Sequence, residues 1–171
     1  VVKAQKSAVA FHPKNDTHEA IKHYLWQMKY SPEFKTMKEH GGAGYIDWAD
    51  ELAILGTRNY RDYHFEDVKR IDGKQLIKNI TRKHGCPRCP VQCKADLKFS
   101  TGRLKGKKAV RPEFEPMLAL GAKCGLNDLQ TLVYLDNLCT RLGMDSISAG
   151  TAIAFAMDLF DRGIITTADT G

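Results

Sequence analysis

The side chains with the clearest chemistry are three closely spaced cysteines, Cys86, Cys89 and Cys93. Two residues separate the first pair and three the second, and Pro87 and Pro90 stiffen the turn between them. This spacing is too tight for ordinary pairwise disulfides, whereas thiolates on a turning backbone can each hold one corner of an iron–sulfur cluster. The motif therefore predicts a metal centre.

The spacing alone leaves the metal undecided. Zinc also accepts three sulfurs and one nitrogen, and His84 or a distant residue could supply that nitrogen. A second CxxC pair would favour zinc, and the chain has none. The remaining ligand of a cubane must then come from outside the chain or be Cys124 or Cys139, and a metal-free core is the third alternative. Because Cys124 and Cys139 have apolar neighbours in the sequence, we expect both to lie in the core.

Length and composition restrict the class of protein that carries this motif. The chain has 171 residues, of which 43% are hydrophobic, so we expect one domain, or one domain with a fragment of another. No apolar run reaches the length of a membrane span, which predicts a soluble protein without a membrane partner. Three cysteines in a metal-type motif also indicate a reducing compartment, and hence a cytoplasmic protein.

The formal charge is +6, but the lysines and arginines are spread along the chain. Only residues 105–108 form a small basic cluster. Such a cluster is more often a solvated loop than a nucleic-acid patch, so we expect no nucleic-acid partner. A diffuse basic surface suits an acidic protein partner at least as well as DNA.

Helical periodicity dominates the apolar pattern, which predicts a mainly α, multihelical domain with a short strand at residues 1–12. Almost no strand is expected after residue 12. One predicted helix is capped by Ser31 with Pro32 at its first position, and one surrounds Ile21. The other predicted helices cover residues 46–55, 72–83, 128–142 and 148–162.

The helix over residues 128–142 has apolar positions around more than half of its circumference, so we expect it to be packed on several sides. Asn127 is its predicted N-cap and Gly143 its predicted C-terminal stop. Asp136 falls within the apolar arc, so we expect it to have a partner. Small residues at positions 149–152 should permit close backbone approach in the next helix.

Four segments, in this order, closely resemble the aldehyde ferredoxin oxidoreductase family of tungsten enzymes: residues 85–93, 111–115, 121–125 and 138–148. The resemblance implies a piece of a longer enzyme in which two pterin dithiolenes hold tungsten, or molybdenum, beside a [4Fe–4S] cluster. It further implies that residues 1–12 are the tail of a preceding β-rich domain. Residues 13–171 would then form the first helical domain, which binds the cluster and the pterin.

The resemblance also implies roles for individual residues. The family's CxxCxxxC motif maps onto Cys86, Cys89 and Cys93, with the last ligand beyond the end of this chain. The family's DxxGLD pterin motif maps onto residues 140–145, with two departures from the pattern. The matching positions, in which threonine replaces aspartate and methionine replaces leucine, are Thr140, Gly143, Met144 and Asp145.

Two groups of carboxylates have both a structural and a chemical interpretation. Asp145 could be the N-cap of the helix that begins at Ser148, or accept the adjacent N–H donors of a pterin edge. Glu113 and Glu115 could be a solvated pair on a loop. The resemblance implies that a glutamate of this segment lies next to the tungsten and handles a proton, with Glu115 favoured over Glu113.

The activity implied by the resemblance is oxidation of an aldehyde to a carboxylic acid, with ferredoxin as the electron acceptor. We expect the isolated piece to be inactive, and the whole enzyme could be a homo-oligomer. A catalytic subunit similar to class-II benzoyl-coenzyme A reductase is an alternative, because that enzyme resembles the same family. A zinc-stapled helical binding module is the non-enzymatic alternative.

Overall fold

The structure, a computed structural model, describes residues 15–171, and helices account for most of its regular structure. The predicted mainly α class is therefore confirmed. Among the described residues, no helix combines the length and the apolar character needed to cross a membrane. The helices are α1 (Asn15–Tyr30), α2 (Pro32–His40), α3 (Ile46–Glu51), α4 (Phe114–Pro116), α5 (Leu129–Leu142), α6 (Ser146–Asp161) and α7 (Thr167–Thr170).

The predicted strand at residues 1–12 lies outside the described residues, and the division of the chain at residue 12 stays a prediction. Helix α3 ends at Glu51, earlier than the predicted residue 55. One short 3₁₀ turn, Gly42–Tyr45, leads into α3. The other 3₁₀ turns lie at Val68–Arg70, Gly73–Asn79 and Ala122–Cys124, and a π-helical turn lies at Met117–Gly121.

The expectation of almost no strand is wrong. Strands β1 (Ile80–His84), β2 (Lys94–Lys98) and β3 (Lys108–Val110) form an antiparallel sheet in the order β1-β2-β3. The predicted helix over residues 72–83 is instead a 3₁₀ turn that runs directly into β1. The apolar residues of this stretch fit a helical period, but they belong to two different elements.

Helix ends follow the local sequence closely. The Ser31 hydroxyl accepts a hydrogen bond from the Phe34 N–H at 3.1 Å, which confirms the predicted cap of α2. Helix α5 is capped by Asp128, one residue later than predicted, because its carboxylate accepts from the Thr131 N–H at 2.9 Å. The predicted stop at Gly143 is confirmed, with φ at 70°.

Helix α5 forms a wall shared by two hydrophobic clusters. Leu132 packs with the cluster that joins α3, the loop after it and the segment around Met117. Val133 packs with the inner face of the sheet, including Leu97 and Ala109. Because neighbouring residues of one helix face different clusters, the predicted packing of α5 on several sides is confirmed.

Helix α6 crosses the segment around Ala119 at very short range. A Cβ atom added at Gly150 would lie 2.6 Å from the backbone C and O of Ala119, so only glycine fits at this crossing. The predicted close approach of backbones near the start of this helix is therefore confirmed. The contact holds the segment that follows Glu115 against α6.

Candidate metal and cofactor site

The three predicted metal ligands lie on the cysteine loop, residues 85–93, which joins β1 to β2. A Cβ atom at Gly85 would lie 2.7 Å from the Cα of Gln92, so the two ends of the loop are pressed together. Arg88 and Gln92 have φ values of 64° and 52°, in the left-handed region that residues other than glycine rarely adopt. Such strained backbone is typical of functional loops.

The three sulfurs do not yet form a metal site. Cys86 is exposed, Cys89 and Cys93 are half-buried, and none is in a disulfide. Within residues 15–171, no three histidine, cysteine, aspartate or glutamate side chains are grouped so that they could hold a metal ion. The role of these three cysteines as ligands of a shared metal stays a prediction.

The chemistry of the donors nevertheless fits a cluster. Three free thiols lie on one short surface loop, whose ends are fixed by the sheet, and thiolates are the ligands that iron–sulfur clusters use. Metal binding often supplies the energy that orders its own ligands. The pKa of the Cys93 thiol is raised, mainly by burial and to a lesser extent by the negative charge of Glu113.

His84 is already engaged away from the cysteines. Its Nε2 lies 3.2 Å from Oδ1 of Asp96 on the neighbouring strand, and the same carboxylate accepts a 2.8 Å hydrogen bond from Nε of Arg82. Only one of the two ring nitrogens is held by this carboxylate. Because histidines that bind a metal commonly give their other nitrogen to a carboxylate, the zinc alternative with His84 stays open.

The two candidate glutamates have different surroundings. Glu113 forms an ion pair with Lys94, at 2.6 Å between Oε1 and Nζ, and accepts a 3.1 Å hydrogen bond from the Gly42 N–H. Glu115 lies on α4 and is exposed. The π-helical turn that begins at Met117 follows directly, and such turns are frequent at functional sites. Glu113 therefore has a structural role, whereas Glu115 is accessible to a ligand.

Asp136 connects these groups to the end of α5. It is half-buried, and burial raises its pKa, while a hydrogen bond with the Ser146 side chain and the charge of Lys94 oppose that rise. The negative charge of Glu113 also raises the pKa of Asp136. The expected partner of Asp136 is therefore confirmed. Through Lys94, Glu113 and Asp136, the cysteine loop is linked to the start of α6.

The residues matched to the pterin motif form the turn between α5 and α6. The Met144 N–H donates to the Cys139 carbonyl at 2.9 Å and the Gly143 N–H to the Thr140 carbonyl at 3.2 Å, which is a Schellman motif. The Thr140 hydroxyl donates to the Asp136 carbonyl at 3.1 Å, within its own helix.

Asp145 caps α6. Its carboxylate accepts from the Ser148 N–H at 2.8 Å, and hydrogen bonds from Ser148 lower the pKa of Asp145. The capping interpretation is therefore confirmed. Helix α6 starts at Ser146, two residues before the predicted start, because of this cap. Both Asp145 and Met144 are exposed, so the turn is accessible, and their pterin contacts stay a prediction.

The two remaining cysteines lie apart from the cysteine loop in sequence and in environment. Cys139 is buried, as expected for a core residue. Cys124 is half-buried, with its Sγ 3.3 Å from the Ala119 carbonyl oxygen and 3.4 Å from that of Gly150. Burial raises the pKa of the Cys124 thiol.

Arg111 was not singled out by sequence reasoning. Its guanidinium donates to the Glu39 carbonyl at 3.0 Å and to the Cys93 carbonyl, so it holds one end of the cysteine loop. The signal that could have identified it is the alternation of buried and exposed positions along the strand. Ala109 and Arg111 are buried, and Val110 between them is exposed. A charged residue that falls on the buried face of a strand is expected to bind a partner within the protein instead of water.

A family model described as aldehyde ferredoxin oxidoreductase, domains 2 and 3, matches residues 19–171. The chain belongs to the aldehyde ferredoxin oxidoreductase family. The resemblance carried by the four segments is thus confirmed over nearly the whole chain.

Individual members of the family are similar over most of this chain. A tungsten-containing aldehyde ferredoxin oxidoreductase of Thermococcus kodakarensis is 31% identical over 79% of this chain, and its counterpart in Pyrococcus abyssi is 31% identical over 90%. An aliphatic sulfonate oxidoreductase, WOR-like subunit, of Pyrococcus furiosus is 30% identical over 86%. The aligned part is 22%, 25% and 24% of these relatives, so the chain spans about a quarter of their length or less.

Proposed function

We propose that this chain is part of a tungsten-pterin, iron–sulfur oxidoreductase that oxidises aldehydes to carboxylic acids and passes the electrons to ferredoxin. The observation that carries the proposal is the link between the cysteine loop, the segment that contains Glu113 and Glu115, and the α5–α6 turn. Lys94, Glu113 and Asp136, all half-buried, make that link through one electrostatic network. The names of the tungsten-containing relatives support the metal.

In this proposal, Cys86, Cys89 and Cys93 hold a [4Fe–4S] cluster, and Asp145 binds the pterin edge beside the backbone of Gly143. When bound, the tungsten-pterin and the cluster accept and relay the two electrons of the reaction. The exposed, pre-formed turn supports this role, because its backbone groups are satisfied internally while the Asp145 side chain stays accessible. A carboxylate can accept two adjacent N–H donors in bidentate fashion.

Glu115 is the proposed proton acceptor. Oxidation of an aldehyde adds the oxygen of water and releases two protons and two electrons, so a group at the site must accept a proton. Glu115 is exposed on its short helix, whereas Glu113 is occupied by Lys94 and Gly42. Glu115 is therefore the carboxylate of this pair that is free to act on a substrate.

The proposed acceptor is an acidic protein such as ferredoxin, and a basic hairpin supports this proposal. Residues 98–108 carry five lysines and arginines and no carboxylate. Arg103, Lys107 and Arg141 all lie around the Tyr134 ring, at 4.4, 5.9 and 6.0 Å from its centroid. Clustered charge of one sign steers a partner of the opposite sign.

The test is to purify the full-length protein without oxygen and measure its tungsten, iron and zinc together with aldehyde-dependent reduction of a viologen dye. Tungsten and iron with aldehyde oxidation would support the proposal. Zinc without tungsten would indicate the binding module. Aliphatic sulfonates are compared as substrates, because one relative is named for that activity. If the protein contains tungsten but acts only on sulfonates, an aliphatic sulfonate replaces the aldehyde as the proposed substrate.

Two variants separate the proposed roles of the carboxylates. Glu115→Gln keeps the shape but removes the titratable group, so the rate per tungsten should fall on the order of a hundredfold or more. Asp145→Ala should instead lose tungsten first, since it removes the charge-assisted acceptor proposed for the pterin N–H donors. Glu51→Gln, at an exposed carboxylate of α3, is the matched control. Full activity per tungsten in Glu115→Gln would contradict its role.

A further inference from the structure

Arg111 is a buried cation without a carboxylate of its own. Its side chain belongs to a residue that is only 3% exposed. Among the described residues, no carboxylate oxygen lies within 4 Å of its guanidinium, which donates instead to the backbone carbonyls of Glu39 and Cys93. Glu113, whose charge reaches Arg111, is itself engaged by Lys94. Buried charges in proteins are normally paired, because removing an ion from water is costly.

The space around this guanidinium is built to receive it. A Cβ atom at Gly41 would lie 2.6 Å from Nη2 of Arg111, so the absence of a side chain there makes room for the cation. The Glu39 carbonyl belongs to the last turn of α2, where the helix dipole places partial negative charge. The Arg111 N–H donates to the Ala95 carbonyl at 2.9 Å, which fixes the residue beside β2. The position of the cation is thus determined from three directions.

A cluster held by the cysteine loop would supply the negative charge that Arg111 lacks. Three thiolates that hold an iron–sulfur cluster carry net negative charge, and Cys93 is the ligand whose carbonyl Arg111 contacts. Lys94 is the other nearby cation, but its ion pair with Glu113 at 2.6 Å already compensates it. Arg111 is therefore the buried cation of this region whose charge is left for a ligand.

We propose that Arg111 is a positioning residue for the cluster: it fixes the Cys93 end of the cysteine loop and supplies the buried positive charge that balances the anionic cluster. This inference rests on the proposed iron–sulfur function. A buried cation stabilises the reduced cluster more than the oxidised one, because reduction adds a negative charge. Arg111 therefore raises the reduction potential.

The test compares Arg111→Gln, which removes the charge, with Arg111→Lys, which keeps the charge but loses the planar fork. Both are made in the full-length protein, and iron per protein and the cluster's reduction potential are measured by a redox titration followed by electron paramagnetic resonance. Arg111→Gln should lower the potential by at least the equivalent of a tenfold change in equilibrium constant, ~59 mV for one electron. In Arg111→Lys, the reduction potential should change by less than half of that shift, whereas the iron content should fall.

Arg82→Gln is the matched control, because Arg82 is an exposed cation near the loop whose charge is paired with Asp96. It should change neither the iron content nor the potential. An unchanged potential in Arg111→Gln, or equal shifts in the glutamine and lysine variants, would overturn the proposal.

A second readout covers the case in which Arg111→Gln holds too little iron to titrate. In the apoprotein, hydrogen exchange of the amides in residues 88–93 should be several-fold faster in Arg111→Gln than in Arg82→Gln, since only the first variant loses the guanidinium contact with the Cys93 carbonyl. Equal rates would overturn the proposal. A parent protein without iron would instead contradict the iron–sulfur function itself, so the two failures can be told apart.

Discussion

The cysteine loop and the α5–α6 turn are built on opposite principles. The turn is complete by itself, because the Schellman bonds at Gly143 and the Asp145 cap satisfy its backbone groups. The loop holds two left-handed residues, Arg88 and Gln92, and its three cysteines are not grouped as a metal site. One part of the proposed site is therefore determined by helix-end hydrogen bonds, and the other needs a metal to reach its final form.

The largest expected effect is on the cysteine loop. Cys89→Ser in the full-length protein should remove most of the iron, because it replaces a soft sulfur ligand with a hard oxygen. Hydrogen exchange should then become faster over residues 85–93, while residues 139–146 stay protected. Equal loss of protection in both regions would show that the turn is not independent of the metal.

A steric change at the crossing of α6 should have an intermediate effect. Gly150→Val places a side chain 2.6 Å from the backbone of Ala119, so the free energy of local unfolding should fall by about 1–3 kcal/mol. Hydrogen exchange of α6 amides measures this change. Ala152→Val, at an exposed position of the same helix, is the control and should have a much smaller effect. Similar losses in both variants would contradict the close crossing.

The smallest expected effect concerns Asp136, which links the two regions. Burial raises its pKa above the ordinary value of 3.8, so the folded state binds this proton more tightly than the unfolded state. Its contribution to stability is therefore present below about pH 3.8 and is lost as the pH rises through the raised value. Asp136→Asn should remove this dependence and give a slightly higher melting temperature at pH 7.

Asp145 provides the opposite case on the same protein. Hydrogen bonds from Ser148 lower its pKa, so its contribution is present above the ordinary value and is lost as the pH falls. Asp145→Asn should therefore lower the melting temperature at pH 7. If both asparagine variants shift it in the same direction, the assignment of opposite surroundings is incorrect.

The sheet shows where sequence reasoning failed. Ala95, Leu97 and Phe99 point into the core, with exposed or half-buried residues between them, which is a period of two. That pattern was present in the sequence but is short, and the apolar residues before it fitted a helical period equally well. The choice was made by pairing with β1 and β3, which local propensity does not encode.

By itself, the sequence determined the mainly α class, the cysteine motif and several helix ends. Each of these depends on residues within about four positions of one another, such as Ser31 with Phe34 and Asp145 with Ser148. Only the tertiary structure brought Arg111 to Cys93 and to Glu39, across 18 and 72 positions of the chain. Such contacts follow from which surfaces pack together, so the cation behind the cysteine loop became visible only in the folded protein.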